Sequence, residues 1–277
     1  MTDALTAHQA SVADRVLDEE SAARRHLVVH LSGAHAYGFA SPDSDLDLKA
    51  IHVVPTTSLL GLQSPALVAN RLEVIDDVEI DYTSNEIAVA IRGLIKGDGN
   101  MLERVTSASP LRRSPELDEL RRLGLAALSQ RYYRHYRGFA SSQRAAVVEA
   151  SPPKAKKVLY VLRTVLTGVH LLETGECIPD LTALCDRYGF EQSHELITFK
   201  RAAESGTLPV DVAESVPSLL DRAFARLDEA LSRTPLPPDP SPKSESDLEA
   251  WLVALRTQAL SNEPPIRSPP STEGQYG

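Results

Sequence analysis

Three aspartates stand at alternate positions in the segment GAHAYGFASPDSDLDLKAI, residues 33 to 51: Asp43, Asp45 and Asp47. They follow a glycine-rich turn, and the segment ends in apolar residues typical of a buried strand. Like charges on one face of a strand repel one another and raise each other's pKa unless a cation lies between them. The spacing therefore indicates a candidate site for a metal ion.

Within this segment Asp45 and Asp47 share one face of the predicted strand, because successive strand side chains alternate between faces. Two adjacent carboxylates suit Mg²⁺ or a pair of metal ions, which keep coordination positions open for substrate phosphates. Lys49 shares the face of Asp47 and would neutralise the cluster without a metal. A later acidic strand repeats the alternation with Asp77, Glu79 and Asp81. If the strands are neighbours, one of these three supplies a third carboxylate.

The turn SGAHAYG, residues 32 to 38, precedes the acidic strand. Gly33 would let the backbone approach a ligand closely, and the N–H groups that follow would cradle phosphates. A glycine turn alone is weak evidence, and an isolated D-x-D is better explained as an Asp/Ser turn that caps a strand. The glycine turn followed by two acidic strands is a more specific signal than either motif alone. Two metal ions bridged by such a cluster could activate an attacking hydroxyl and stabilise a leaving pyrophosphate.

The elements that must position these side chains fall into two groups, which predicts an α+β fold. A helix over 3–22, strands over 26–33, 45–54 and 71–82, and a helix from an N-cap at Ser84 to Gly97 form a small mixed-sheet palm, residues 1–112. Helical patterns over 115–129, 131–149 and 154–174, with shorter ones to 232, form a helical domain, residues 113–232. A flexible Pro/Ser-rich tail with a short amphipathic helix, residues 233–277, follows.

Composition narrows the class of protein. The 277 residues carry a net charge of −9, which argues against a basic coat for nonspecific nucleic-acid binding. No apolar run approaches the length of a membrane span, so we expect a cytoplasmic protein without a membrane partner. Cys177 and Cys185 are the two cysteines; we expect them to pack as small apolar groups rather than to form a zinc site.

These motifs together resemble the nucleotidyltransferase superfamily of DNA polymerase β, whose signature is an apolar residue, Gly, a small residue, a spacer and D-h-[DE]-h. GAHAYGFASPDSDLDLKAI and DVEIDYTSNEIAVAIRGLIKGDGNMLERV are similar to predicted nucleotidyltransferases of the YcgL/RlaP type. The resemblance covers residues 26–107 well and KKVLYVLRTVLTGVHLLETGE more weakly. It implies an enzyme of the 2.7.7 class that uses Mg²⁺ or Mn²⁺ to transfer a nucleoside monophosphate from ATP or another NTP to a hydroxyl.

The resemblance also implies roles for individual residues. Gly33 matches the phosphate-loop glycine, and Asp45 and Asp47 match the catalytic, metal-binding pair. Alignment from MLE at 101–103 makes Asp81 the third catalytic and metal-binding carboxylate, with Glu79 as the alternative.

The nucleotide-binding positions include one departure from the family pattern. Ala34 stands where the family has a serine, which removes a hydroxyl expected to touch the nucleotide phosphates. His35 and Tyr37 would contact nucleotide or hold the loop. Because the second domain of the superfamily completes the nucleotide cleft, Lys157 and Arg163 are expected to contact the triphosphate.

The sequence leaves open the acceptor substrate, the alternatives to an enzyme and the role of residues 131–144. An RNA 3′ end such as that of tRNA, a protein side chain and a small-molecule hydroxyl all fit as acceptors. A catalytically inert nucleotide sensor, favoured by Ala34, and an interaction protein that uses the Pro-rich tail are the alternatives to an enzyme. The stretch RYYRHYRGFASSQR, residues 131–144, suits an RNA or base-stacking groove, although an amphipathic helix with arginines over buried tyrosines is the favoured interpretation.

Overall fold

The sheet has mixed direction, as the sequence predicts, but five strands rather than the three that the sequence pattern indicates. The computed structural model describes residues 5–150, 152–202 and 207–262. The strands are β1 (Arg25–Leu31), β2 (Leu46–Val53), β3 (Val68–Ile75), β4 (Val78–Glu86) and β5 (Arg112–Arg113). They lie in the order β3-β4-β2-β1-β5, with β2 and β4 parallel and the other pairs antiparallel.

Helices make up the rest of the regular structure, which confirms the α+β class. The first four are α1 (Ala7–Ala23), α2 (Gly33–Ala36), α3 (Ile87–Lys96) and α4 (Gly99–Thr106), with a 3₁₀ turn over Thr56–Leu59. The later ones are α5 (Leu117–Ala126), α6 (Arg131–Val148), α7 (Ala155–Thr174), α8 (Leu181–Cys185), α9 (Ser193–Ala202), α10 (Val210–Arg233) and α11 (Pro242–Asn262). Among the described residues, none of these helices is long and apolar enough to cross a membrane.

The single strand predicted over 71–82 is wrong, because the chain forms a hairpin there. Asp76 and Asp77 both have positive φ, 49° and 64°, and they make the two-residue turn between β3 and β4. Two left-handed residues match the right-handed twist of hairpin strands, and aspartate tolerates this conformation better than most residues. The alternating pattern runs on through the turn, so periodicity alone did not locate it. The hairpin places β4 beside β2.

The predicted N-cap at Ser84 is also wrong. Ser84 lies inside β4, where its Oγ is 2.7 Å from His52 Nδ1 on β2. Glu86 caps α3 instead, since its Oε2 accepts a hydrogen bond from Ala88 N at 2.7 Å. Gly97 ends α3 in the left-handed conformation, with φ 83°, as predicted.

Two apolar clusters cover the two faces of the sheet. On one face α1 packs over β1, β2 and β4 and buries Leu46 and Leu48, as the strand alternation predicts. On the other face a larger cluster runs from the sheet through α3 and α4 into the helical part. α7 is buried along nearly its whole length, as expected of a helix that is apolar on all sides. The palm and the helical part therefore share one core.

The C-terminal helix extends that core. α11 begins at Pro242, inside the stretch predicted as a linker, and it buries Leu248, Leu252 and Leu255. Arg256 of α11 lies with its Nη2 2.9 Å from Oε1 of the buried Glu86. The amphipathic stretch predicted near this position is thus a longer helix attached to the palm. The remainder of the predicted tail, residues 263–277, lies outside the described residues.

Because two histidines on β1 are held neutral by the fold, we expect the protein to lose stability in acid. Burial, together with nearby arginines, lowers the pKa of His30 to about 3 and that of His26 to about 4. The unfolded chain, with histidine pKa near 6.5, therefore binds more protons below pH 6.5, so the free energy of unfolding falls with the pH. We expect denaturant unfolding to show a loss of about 2 kcal/mol between pH 7 and pH 5 from His30, with a further, smaller loss from the less buried His26.

The matching control replaces one of the two histidines. His30→Gln should remove the larger part of this pH dependence and leave the part due to His26, because the variant has no group at position 30 that must stay neutral in the fold. A variant that loses as much stability between pH 7 and pH 5 as the parent would contradict the assignment to His30.

Candidate active site

Two of the predicted carboxylates lie side by side on neighbouring strands. Asp47 on β2 and Asp81 on β4 are register partners in the parallel pair. Lys49 Nζ lies 2.8 Å from Asp81 Oδ1 and 3.6 Å from Asp47 Oδ1. The same ammonium donates a hydrogen bond to the carbonyl oxygen of Asp81 at 3.2 Å. A positive charge thus lies between the two carboxylates, in the role expected for Lys49.

The electrostatics of Asp47 favour positive charge beside it. Burial raises the pKa of Asp47, and the neighbouring carboxylates of Asp81 and Asp45 raise it further, while Lys49 opposes them. The fold therefore holds negative charge at a position that disfavours it. Carboxylate oxygens are the donors that hard divalent cations prefer. The donor set of this site fits Mg²⁺ or Mn²⁺.

The glycine turn packs directly against the acidic strand. Gly33, the first residue of α2, has a φ of 64°. A Cβ at this position would lie 2.8 Å from Cγ of Asp47 and still closer to its Oδ2. The backbone N–H of Ser32 donates a hydrogen bond to the carbonyl oxygen of Asp47 at 2.8 Å. The turn can approach the carboxylate this closely only because residue 33 has no side chain.

Gly33→Ala should therefore impair both stability and any activity of the site. The left-handed backbone costs an L-residue roughly 1–2 kcal/mol, and the overlap with Asp47 adds to this. Gly189→Ala is a matched control, since Gly189 has a φ of 76° and a Cβ added there would meet nothing within 4 Å. We expect thermal unfolding to show a larger loss for Gly33→Ala. Equal losses would contradict the close packing of the turn.

The turn and the strand carboxylates face the helical part across a cavity of about 290 Å³. Five predicted site residues line it: Gly33, Tyr37, Asp47, Asp81 and Arg163. These residues come from α2, β2, β4 and α7, so the fold joins motifs that are far apart in the sequence. The cavity has the size of a small ligand pocket.

The opposite wall is built by residues that the sequence motifs did not assign to the site. They come from α4, α6 and α7: Asn100, Glu103, Arg104, Phe139, Gln143 and Tyr160. Glu103 and Arg104 belong to the MLER segment, which served only to align the family motif. The only sequence signal for these two residues was an adjacent acidic and basic pair in a short predicted helix. Their place on this wall depends on how the helices pack.

Arg163 holds the two halves of the cavity together. Its Nη1 donates to Oε1 of Glu103 at 2.6 Å, and both side chains are only 4% exposed. Its guanidinium also lies 3.7 Å from the ring centroid of Tyr37 in the glycine turn. Burial alone would lower its pKa, but Glu103 and the surrounding tyrosines raise the pKa above its usual value. Arg163 is thus a buried cation that joins α7, α4 and α2.

Three side chains of the cavity lining have buried nitrogen atoms without hydrogen-bond partners. Within the described part of the chain, His30 Nε2, Arg104 Nε and Arg163 Nε are buried and accept or donate no hydrogen bond. All three residues line the cavity. Buried polar atoms are usually paired, so unpaired nitrogens around a cavity indicate a site for acceptor atoms of a ligand.

Five predicted residues lie off the cavity lining. Ala34 and His35 are buried, and His35 Nε2 contacts the carbonyl oxygen of Ser44 at 3.3 Å. Glu79 is exposed on β4 opposite Val74. Asp45 lies just before β2 with Oδ2 3.9 Å from Lys156 Nζ, whereas Lys157 is exposed on α7. The structure therefore brings Asp81 rather than Glu79 to the cavity, and Lys156 rather than Lys157 toward the acidic segment.

Most of the basic and aromatic stretch over 131–144 forms an amphipathic helix, and one of its aromatic residues lines the cavity. Tyr132 and Tyr136 are buried in the core, and Arg137 and Arg144 lie over the ring of Phe224. This is the amphipathic helix favoured above. Phe139, in the same helix, nevertheless faces the cavity.

Two other features lie apart from this site. A larger cavity of about 1000 Å³ borders the far end of β2, where Arg24 and Arg25 are paired with Glu20 and Glu116. Cys185, Asp186 and His194 form a small cluster, in which Nε2 of His194 is 2.6 Å from Oδ1 of Asp186 and 3.5 Å from Sγ of Cys185. Sequence spacing did not bring a histidine to Cys185, because His194 reaches it only through the turn between α8 and α9.

Comparison with known proteins identifies the family of this chain. Uncharacterized protein MJ0002 of Methanocaldococcus jannaschii is 24% identical over 221 residues, covering 78% of this chain and 88% of that protein. A nucleotidyltransferase-like protein from Exiguobacterium sibiricum superposes with a TM-score of 0.33 at 12% identity, over 89% of this chain and 80% of that one, a likeness too low to compare sites. The model of the RlaP family, the RNA repair pathway DNA polymerase beta family, matches residues 10–254. Because this match spans most of the chain, the protein belongs to the RlaP family, as its motifs predict.

Proposed function

We propose that this protein is a metal-dependent nucleotidyltransferase that moves a nucleoside monophosphate from an NTP to a hydroxyl acceptor and releases pyrophosphate. The observation that carries the proposal is the register pairing of Asp47 with Asp81 in a cavity also lined by Gly33. Membership of a polymerase β family supports the same chemistry.

The acidic residues have distinct parts in this proposal. Asp47 and Asp81 on the cavity wall, with Asp45 just beside that wall, would hold Mg²⁺ or Mn²⁺, which would supply charge neutralisation at the phosphates and lower the pKa of the attacking hydroxyl. Asp81, which is more exposed than Asp47, would accept the proton of that hydroxyl. Lys49 keeps the carboxylates compensated before substrate arrives.

The phosphates would lie between the glycine turn and the basic wall. Backbone N–H groups after Gly33 would bind phosphate oxygens, and Arg104 on the other wall has an unpaired nitrogen for the same purpose. Ala34 offers no hydroxyl, but Ser32 lines the cavity with its Oγ 3.0 Å from the Tyr37 hydroxyl. Ser32 would replace the hydroxyl that Ala34 lacks.

We propose an RNA 3′ end as the acceptor. The family is named for an RNA repair pathway, and an RNA terminus offers the hydroxyl that the reaction needs. A protein side chain and a small-molecule hydroxyl are the competing acceptors.

The experiment supplies each of four α-³²P NTPs with Mg²⁺ or Mn²⁺ to a mixture of cellular RNA and protein. We expect label in RNA, lost in Asp47→Asn and kept in Asp43→Asn, whose carboxylate is exposed in the same segment. Label in protein would change the acceptor but keep the reaction. NTP binding without transfer to RNA, protein or a panel of small hydroxyl compounds would contradict the enzyme and indicate a nucleotide sensor.

A further inference from the structure

One face of α6 forms part of the cavity wall. Phe139 and Gln143 are four residues apart, so they lie one above the other on the helix, and both line the cavity. Phe139 is 41% exposed, unlike Tyr132 and Tyr136 of the same helix, which are buried. An exposed aromatic ring at the wall of this cavity offers a flat apolar surface to a ligand.

Neighbouring side chains hold these two residues in place. The Phe139 ring packs at a centroid distance of 5.9 Å from His135, which itself lies 3.6 Å from Asp98. The amide of Gln143 is hydrogen-bonded to Oγ1 of Thr164 on α7 at 2.9 Å. The side chain of Gln143 is thus fixed at the cavity wall beside an aromatic surface.

We propose that Phe139 stacks on the nucleobase of the incoming NTP and that Gln143 contacts the edge of that base. This inference rests on the proposed function and adds where the base is bound. The cavity joins the carboxylates and the glycine turn to the α6 face without interruption. Its volume of about 290 Å³ suits one nucleotide rather than a nucleotide together with an RNA strand, so we assign the face to the NTP.

The two residues should affect nucleotide binding in different ways. Every base has a flat face, so loss of stacking weakens all four NTPs alike, by about tenfold to a hundredfold. A contact to the base edge depends on the donors and acceptors of each base, so a change there alters the preference among NTPs. Inorganic triphosphate has no base, and its binding should respond to neither residue.

The test is equilibrium binding of the four NTPs and of inorganic triphosphate, with Mg²⁺, to the full chain and its variants. Phe139→Leu, which keeps apolar bulk, should bind all four NTPs about tenfold or more weakly and triphosphate unchanged. Phe139→Trp should keep NTP affinity, and its added indole fluorescence should be quenched by NTPs but not by triphosphate. Gln143→Glu should change the affinity ratio among the NTPs at least severalfold. Val148→Ala, which removes an exposed apolar side chain from the same helix away from the cavity, should change none of these.

The remaining outcomes would all contradict the base site, but they differ in what they mean for the proposed function. If NTPs bind and Asp47→Asn stops transfer, but Phe139→Leu binds NTPs like the parent, the base lies elsewhere and the proposed function stands. If Phe139→Leu weakens triphosphate as much as NTPs, Phe139 only supports the cavity and the inference fails. If the parent protein binds triphosphate and NTPs equally, no base is recognised. Absence of any NTP binding to the parent would overturn the proposed function together with the base site.

Discussion

Asp47→Asn is expected to lower nucleotidyl transfer by about a thousandfold or more without unfolding the protein. Loss of this carboxylate removes one of the charges that would hold the cation, and charge stabilisation of this kind supplies most of the rate in phosphoryl-type transfer. Folding should tolerate the change, because burial and two neighbouring carboxylates already raise the pKa of Asp47. The measurement pairs initial transfer rates with thermal unfolding at the same Mg²⁺ concentration.

Asp43→Asn is the control for this prediction. It removes an aspartate four residues away that is exposed in the turn before β2. We expect its transfer rate to match that of the parent. If Asp47→Asn remains folded and keeps a transfer rate within tenfold of the parent, the proposed role of this carboxylate in metal binding is wrong.

Arg163→Met should destabilise the fold by about 3–5 kcal/mol, the usual cost of leaving one buried charge without its partner. The variant leaves the carboxylate of Glu103 without its partner. This carboxylate is 4% exposed and accepts a hydrogen bond from Arg163 at 2.6 Å. It also removes the guanidinium from the ring of Tyr37 in the glycine turn. Denaturant unfolding measures the loss directly.

A double variant separates the pair from either residue alone. Glu103→Gln with Arg163→Met leaves no buried unpaired charge, so it should be more stable than Arg163→Met by a measurable part of the loss. If the two single losses simply add in the double variant, the residues act independently. That result would contradict a stabilising bridge between α4 and α7.

The acidic strand was predictable from the sequence because strand alternation is a local rule. Asp47 and Lys49 occupy the cavity face while Leu46 and Leu48 are buried on the other, as a period of two requires. The hairpin was not predictable in the same way, since Asp76 and Asp77 lack the Asn-Gly signal of such turns. A continuous alternating pattern hid the reversal.

The second wall of the cavity could not be predicted because it depends on long-range packing. Glu103 and Arg163 are 60 positions apart, and only the approach of α4 to α7 pairs them. Lys157 and Arg163 looked alike as cations of one helix, yet one is exposed and the other is buried. Phe139 was one aromatic residue among several in its helix, and only the packing of that helix decides which ring faces the cavity.

The most direct test of nucleotidyl transfer follows two labels of one NTP through the reaction. The protein is incubated with an RNA acceptor and Mg²⁺, and the NTP carries ³²P at the α-phosphate in one reaction and at the γ-phosphate in the other. We expect α-label to join the RNA and γ-label to appear only in pyrophosphate, and we expect Asp47→Asn to do neither. Transfer of γ-label to the acceptor, or release of free phosphate without α-label transfer, would contradict nucleotidyl transfer at this site.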